Sequence, residues 1–182
     1  YYMEKKNSFL NGGKIYLRSL NKDDADGNYP NWFNDLEVCQ YNGHYRIPNT
    51  KEKTLKYIES LANSSDTIVF AIVENETNKH VGNVSLSKIN WIDRDADISI
   101  IIGEKDAWGK GYAKETWRLL IDYGFNVLNL HRIYCGTHKE NIGMQKVAQS
   151  LGMIEEGVFK EAIFKKGQYF DIIRYAIIDK NN

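Results

Sequence analysis

The strongest constraint on the fold is a strand joined to a long amphipathic helix by a glycine-rich turn. Residues 96–102 (ADISIII) have the β-branched composition of a buried strand, and apolar side chains recur at helical spacing from Ala113 to Leu128. Such a stripe predicts a helix with one face packed on a sheet. The turn that joins strand and helix contains the sequence Trp108-Gly109-Lys110-Gly111-Tyr112-Ala113.

Glycines directly before a helix favour the binding of anions. They allow positive φ angles, and the first amide groups of the helix lack carbonyl partners and lie at the positive end of its dipole. Lys110 and Lys114 add positive charge, so the turn predicts a cradle for a diphosphate. The segment GKGYAK satisfies neither GxxxxGK[ST] nor GxGxxG. A turn that only lets the helix pack closely on the strand would explain the same glycines.

Shorter periodic segments on both sides of this unit predict the rest of the fold. The expected order is β, α, α, β, β, β, α, β, α, β, β. Antiparallel hairpins interleaved with strand–helix–strand units indicate an α+β fold, with a mixed, mostly antiparallel sheet of six to seven strands and about four helices on its faces. The expected strands are residues 14–20, 67–73, 80–86, 96–102, 133–137, 156–164 and 169–178.

Composition narrows the class of protein. The chain has 182 residues, a length typical of one domain, which we expect over residues 3–180. Tyr1 and Tyr2 are interpreted as residues added for expression of the protein. Lys plus Arg (24) equals Asp plus Glu (24), which disfavours nucleic acid as a partner. Without an apolar run of about 18 residues we expect no membrane span and a cytoplasmic location. The two cysteines and four histidines lack metal-ligand spacing, so we expect no metal.

Two segments together resemble the GNAT acetyltransferase superfamily. WGKGYAKE (108–115) is similar to its acetyl-CoA pyrophosphate motif, Gln/Arg-x-x-Gly-x-Gly/Ala, and ENIGMQKVAQSLGM (140–153) resembles its second motif. The similarity extends from Leu17–Leu20 to the final hairpin, and is closest to the RimJ/RimL-like branch of ribosomal-protein N-terminal acetyltransferases and to relatives acting on aminosugars. It implies an acetyl-CoA-dependent N-acetyltransferase that works through a ternary complex, as a monomer or homodimer.

The resemblance implies a set of residues around acetyl-CoA. Gly111 and Ala113 match the small positions of the first motif, whereas Trp108 stands where the pattern has Gln or Arg. Splayed strand amides are expected to contact the oxyanion of the tetrahedral intermediate. The expected contacts with acetyl-CoA are Ile101, Ile102, Gly103, Trp108, Gly109, Lys110, Gly111, Tyr112, Ala113, Lys114, Asn141 and Met144.

The second motif departs from the family pattern where catalysis would need it. Met144 occupies a position that is often Ser or Ala, and Ala148 stands where many members have a Tyr that protonates the leaving thiolate. Water could protonate a thiolate whose thiol has a pKa near about 8.5, and Tyr134 or Tyr169 could also serve. These departures leave open a catalytically degenerate module that binds CoA without turnover, and a nucleotide binder other than for CoA is a third alternative.

Candidates for the general base lie on and beside strand 96–102. Asp97 is the first choice because it shares one strand face with Ser99 and Ile101. A solvated carboxylate on a half-exposed strand would explain Asp97 equally well. Glu104 and His138 are further candidates.

The acceptor pocket is expected between residues 28–45 and the hairpin at 163–171. Aromatic residues expected to line it are Trp32, Phe33, Tyr41, His44 and Tyr45. A peptide α-amine has a pKa of about 7.7–8.0, whereas lysine has about 10.4, so a protein N-terminus or an aminosugar is favoured as acceptor. A polyamine is the alternative, supported only by the acidic residues Asp93, Asp95 and Asp97.

Overall fold

Eight strands form one sheet in the computed structural model, which describes residues 7–180; Tyr1 and Tyr2 lie outside the described residues. The strands are β1 (Leu10–Asn11), β2 (Ile15–Ser19), β3 (Ile68–Glu74), β4 (His80–Asn90), β5 (Asp95–Ile102), β6 (Arg132–His138), β7 (Ile154–Lys165) and β8 (Gln168–Ile178). Their spatial order is β1-β2-β3-β4-β5-β6-β8-β7, and neighbours are antiparallel except β5 and β6. The predicted α+β class is confirmed, and the additional strand is β1, which pairs with β2.

Four α-helices cover the sheet in the part of the chain that the structure describes, in line with the about four that the sequence predicted. They are α1 (Tyr29–Trp32), α2 (Lys51–Leu61), α3 (Tyr112–Asn126) and α4 (Ile142–Ser150). Thr50 caps α2 by accepting from the amide of Lys53 at 3.2 Å. Within residues 7–180 no helix combines the length and apolar character needed to cross a membrane.

The main core lies between the sheet and the pair α3 and α4. The apolar stripe of α3 places Trp117 and Leu120 against the sheet, where both are buried. The strands contribute a layer of fully buried aliphatic side chains, among them Leu17, Ile72, Leu86, Ile98 and Ile133. Each such side chain contributes about 1.5–3 kcal/mol on burial, so this face fixes the position of α3 on the sheet.

The two parallel strands part halfway along their length. β5 and β6 pair at three positions, the last joining Asp97 and Tyr134, yet β5 continues to Ile102 and β6 to His138. Adjacent parallel strands normally exchange hydrogen bonds along their shared length. Beyond Asp97 the sheet therefore opens into a gap, which positions the site described below.

Candidate active site

A cleft of about 1050 Å³ occupies the gap between β5 and β6. One wall comes from the face that carries α3 and α4, and includes Ala113, Met144 and Val147. The other comes from the face that carries α1 and α2, and includes Phe33 and Tyr41. A molecule on one face of the sheet can therefore reach a second molecule on the other face through the gap.

The glycine-rich turn forms one end of the cleft. Gly109 and Gly111 have φ angles of 74° and 85°, and Gly111 is the N-cap of α3 without a side-chain cap. The first amide bonded within the helix is that of Glu115, which donates to the carbonyl of Gly111 at 3.2 Å. The preceding amides of the first turn are left to a ligand. Because they also lie at the positive end of the α3 dipole, the geometry fits the pyrophosphate expected from the sequence.

A buried carboxylate lies beneath this turn. Glu74, at the end of β3, is 7% exposed and accepts from Thr77 Oγ1 at 2.6 Å, from the hydroxyl of Tyr112 and from Lys110 Nζ at 3.2 Å. The Thr77 hydroxyl, together with Tyr112 and Lys110, lowers the pKa of Glu74 to about 2. The side chain of Lys110 is thus held by Glu74 and does not line the cleft, contrary to the expected role of its charge, whereas Lys114 does line it.

The turn between β1 and β2 contacts the same loop. Lys14 Nζ donates to the carbonyl of Lys110 at 3.0 Å, and the carboxylate of Glu115 accepts from the amides of Gly13 and Lys14. These partners are about 100 residues apart in the chain, so no local pattern indicates the contact. It ties the start of α3 to the edge of the sheet.

The end of β5 offers one of the three expected strand amides to the gap. The amide of Gly103 donates to the carbonyl of Val81 at 2.9 Å, and because strand amides alternate in direction, that of Ile101 also faces β4. The amide of Ile102 faces the gap. Gly103 has a different role from the expected one, because a Cβ there would lie 1.9 Å from the ring of Trp32.

Trp108 closes the same corner of the cleft. Its indole Nε1 donates to the carbonyl of Ile102 at 2.8 Å, and its side chain lines the cleft. The residue that departs from the family's Gln or Arg therefore fixes the strand end by a hydrogen bond of its own.

Three of the four expected catalytic residues lie outside the cleft. Asp97 accepts from Lys88 Nζ at 3.0 Å on the surface of the sheet. Glu104 is held by Lys79 at 2.7 Å and by the indole of Trp32 at 2.8 Å, in a separate small depression. Tyr169 is 61% exposed on the final hairpin. Tertiary packing, which the strand pattern does not reveal, directs all three away from the gap.

His138 is the candidate that the fold brings into the cleft. It is 3% exposed at the end of β6, with its ring between those of Tyr41 and Phe170. Its Nδ1 accepts from the amide of Glu140 at 3.2 Å. Burial lowers the pKa of His138, so the imidazole is neutral at neutral pH. Because Nδ1 accepts a hydrogen bond, the single ring proton is on Nε2. In this form Nε2 is a hydrogen-bond donor, while the lone pair on Nδ1 is occupied by the amide of Glu140.

The second motif begins α4, as expected. Asn141 Oδ1 accepts from the amide of Met144 at 3.2 Å, which confirms the predicted N-cap, and both residues line the cleft. Ala148, one turn after Met144, is buried in the core and does not line the cleft. Tyr134, offered as an alternative acid, lies under the guanidinium of Arg174 at 3.9 Å and does not line the cleft.

The acceptor end of the cleft contains part of the expected aromatic set. Phe33, Tyr41 and His44 line it, and the rings of Phe33 and His44 lie 4.4 Å apart. Trp32 is instead a core residue, 2% exposed, and Tyr45 lies on the surface outside the cleft. Several further residues that line this end were not expected from the sequence, among them Tyr29, Tyr57, Asn83 and Ser85. Alternating polar residues on the central strand β4, Asn83, Ser85 and Ser87, were a usable signal.

The final hairpin holds the acceptor segment in place. Lys165 Nζ donates to the carbonyls of Cys39 and of Asn42, the latter at 2.7 Å, and Arg46 donates to the carbonyl of Phe164 at 2.8 Å. The segment that carries Tyr41 is thus attached to the hairpin. No residue of the hairpin at 163–171 lines the cleft, however, so the hairpin supports the acceptor end without forming its wall as expected.

Comparison with known proteins identifies the family. The protein-family model described as Acetyltransferase (GNAT) domain matches residues 14–154, so the chain belongs to the GNAT acetyltransferases. Its reaction class is accordingly acetyl-CoA-dependent N-acetylation.

Relatives of known name agree with this class. The uncharacterized N-acetyltransferase p20 of Bacillus licheniformis is 28% identical over 169 residues, covering 92% of this chain and 94% of that protein. The spermidine N(1)-acetyltransferase of Vibrio cholerae is 36% identical over 107 residues, covering 59% and 61%. A crystal structure of spermidine N-acetyltransferase from Vibrio cholerae, in complex with CoA and spermine, superimposes with a TM-score of 0.83 at 27% identity, covering 92% of this chain and 96% of that one.

Proposed function

We propose that this chain transfers the acetyl group of acetyl-CoA directly to the uncharged primary amine of a protein N-terminus or an aminosugar. The observation that carries the proposal is the single cleft through the gap between β5 and β6, which joins the glycine-rich turn to an aromatic acceptor end. Residues 3–180 would form one acetyltransferase domain. The motif similarity that begins at Leu17–Leu20 supports the RimJ/RimL-like branch.

Each end of the cleft has a role in this reaction. The amides at the start of α3 bind the pyrophosphate, and the amide of Ile102 donates to the oxyanion as it forms. Acetyl-CoA supplies the activated carbonyl: the C–N bond forms, the C–S bond breaks, the amine loses a proton and the thiolate gains one. An amine of low pKa, such as an α-amine, is partly uncharged at neutral pH and needs little help from a base.

Direct transfer is supported by the state of the cysteine at the cleft. Cys135 on β6 lines the cleft, yet it is almost fully buried, and this burial raises the pKa of its thiol to about 12. A thiol is nucleophilic as the thiolate, which is scarce at neutral pH with such a pKa. An acetyl-cysteine intermediate is therefore disfavoured.

The charges at the acceptor end support an acceptor with few positive charges. Glu37 lines this end, but Lys105 Nζ lies 2.7 Å from its carboxylate. Lys53 lines it as well and adds a positive charge. A polycation would have to separate Glu37 from Lys105 and approach Lys53, at an electrostatic cost.

A polyamine is the second candidate, because relatives of this chain are named spermidine acetyltransferases. The test measures the rate of thiol release with each of three acceptors, a tripeptide with a free N-terminus, glucosamine and spermidine, at varied concentrations of acetyl-CoA. We expect intersecting double-reciprocal lines, with kcat/KM highest for the tripeptide or glucosamine, and the same pattern in Cys135→Ala. Highest kcat/KM for spermidine would reject our acceptor class, parallel lines would reject direct transfer, and CoA binding without turnover on any amine would reject the function.

A further inference from the structure

Asn83 presents an unused hydrogen-bond donor at the acceptor end of the cleft. It lies on β4 directly opposite Ile101 on β5, is 6% exposed and lines the cleft. Among residues 7–180 its Nδ2 has no hydrogen-bond partner. Burial raises the pKa of the neighbouring Tyr29, and the Asn83 amide lies close enough to the Tyr29 hydroxyl to oppose that rise, yet Asn83 Nδ2 meets no partner with hydrogen-bond geometry.

His80 fixes the orientation of the Asn83 side-chain amide. His80 Nε2 lies 3.0 Å from the carbonyl oxygen of Gly82 and 2.8 Å from Asn83 Oδ1. Because a carbonyl can only accept, His80 Nε2 must donate, and the Asn83 atom that it meets must be the oxygen. Asp24 Oδ1 lies 3.4 Å from the other ring nitrogen of His80, and Arg18 holds Asp24 at 2.6 Å. The Nδ2 group is thereby left for a ligand.

His138 supplies a second donor at the same level of the sheet. The register that pairs Asp97 with Tyr134 places His138 level with Ile101 across the gap, on the same face as Asn83. With Nδ1 accepting from Glu140, the proton of the neutral ring is on Nε2. Donors therefore flank Ile101 from both neighbouring strands.

We propose that Asn83 and His138 recognise oxygen atoms of the acceptor on the carbons next to its amine, which defines the substrate class as α-amino carbonyl or amino alcohol compounds. This inference rests on the proposed function. Both favoured acceptors fit the class, since a peptide N-terminus has a carbonyl beside the amine and an aminosugar has hydroxyl groups. A polyamine offers protonated nitrogens and carbon chains, which cannot accept from either donor.

The sharpest variant is Asn83→Asp, which keeps an oxygen for His80 and removes the N–H donors. Steady-state KM and kcat would be measured with glucosamine, with the tripeptide Ala-Ala-Ala, with cyclohexylamine as an oxygen-free amine, and with spermidine. In the wild type we expect kcat/KM for glucosamine or the tripeptide to exceed that for cyclohexylamine by at least about 100-fold, since a site built for hydrogen bonds rejects ligands that lack the partner. Whichever of glucosamine and the tripeptide has the higher kcat/KM shows whether the recognised oxygen belongs to a hydroxyl or to a carbonyl group.

The variants should change this preference selectively. Asn83→Asp and His138→Phe should each raise KM for the oxygen-bearing acceptor about tenfold or more and leave cyclohexylamine within about twofold. His138→Gln, which keeps an N–H donor, should recover most of the loss. Thr116→Val is the matched control, because Thr116 Oγ1 is also buried without a partner among the described residues but lies in the core outside the cleft. Its kinetics should equal those of the wild type.

Two failures can be told apart. Absence of turnover with every amine, despite CoA binding, overturns the proposed function. Turnover with equal preference for cyclohexylamine, or an equal loss for all amines in Asn83→Asp, overturns the recognition of oxygen while the proposed function stands. Circular dichroism of each variant excludes unfolding as the cause of a loss.

Discussion

Gly111 combines a backbone conformation with a binding role at one residue. Its φ of 85° belongs to the left-handed region, and an added Cβ would meet Lys14 Nζ only at 3.8 Å, an ordinary contact. An alanine there is therefore limited by backbone strain rather than by space. The strain would be relieved by moving the turn, and with it the first amides of α3.

We predict that Gly111→Ala lowers the free energy of unfolding by about 1 kcal/mol and weakens CoA binding at least about tenfold. Gly167→Ala is the matched control, because Gly167 has a φ of 82° with open space around it, in the β7–β8 turn and outside the cleft. It should lose similar stability and keep CoA affinity. Calorimetric titration with CoA and urea unfolding measure both quantities; equal CoA affinity in the two variants would contradict the role of the α3 amides.

Local sequence determines what could be predicted for single residues. The roles of Gly111 and Asn141 could be predicted, because a positive φ before a helix and an N-cap are properties of a few consecutive residues. Asp97 lies outside the cleft and is paired with Lys88, because strand alternation predicts the face of a side chain but not its partner. The polar alternation on β4 could have drawn attention to Asn83, but its role depends on β5 and β6, which only the fold brings near it.

At the scale of elements, Glu74 connects the end of β3 to the start of α3. Its folded pKa of about 2 lies below the ordinary value of 4.5, so its stabilisation is fully present above about pH 4.5 and is lost as the pH falls toward 2. The shift corresponds to an upper value of about 3 kcal/mol. Tyr112, whose pKa burial raises to about 12, stays a hydroxyl donor to Glu74 throughout this range.

We predict that Glu74→Gln lowers the free energy of unfolding by up to about 3 kcal/mol at pH 7 and by almost nothing near pH 2. Glu76→Gln, at an exposed position of the same turn, is the control and should be neutral at both values. Urea unfolding as a function of pH measures the difference. A difference that persists at low pH would mean that packing of the side chain, and not its charge, stabilises the contact.

Elements were predictable where a pattern is long, and less so where it is short. The stripe of α3 and the hairpin of β7 and β8 were found, with bounds shifted by a few residues. The helix expected after residue 21 is instead a 3-10 turn, Lys22–Asp26, followed by the one-turn helix α1 with Pro30 in its first turn. Proline lacks an amide donor, so it begins a new helix and cannot continue the preceding one. β1 has only two residues, too few to show alternation.

At the scale of the whole molecule, acetyl-CoA should stabilise the fold because the cleft lies between two parts of one sheet. We predict that CoA at about 100 times its Kd adds about 2.7 kcal/mol and raises Tm by roughly 5–10 °C. Differential scanning calorimetry measures the rise, and Gly111→Ala at the same CoA concentration should show a smaller one. An equal rise in wild type and variant would place CoA binding away from the start of α3.

Only three rungs join β5 to β6, whereas every other long pair of strands in the described sheet is joined along most of its length. Under a pulling force across the sheet, we expect β5 and β6 to separate before any other pair, with β1–β5 moving away from β6–β8. A bound substrate that contacts both groups of strands should oppose this separation. Catalysis and mechanical strength would thus vary together in this protein.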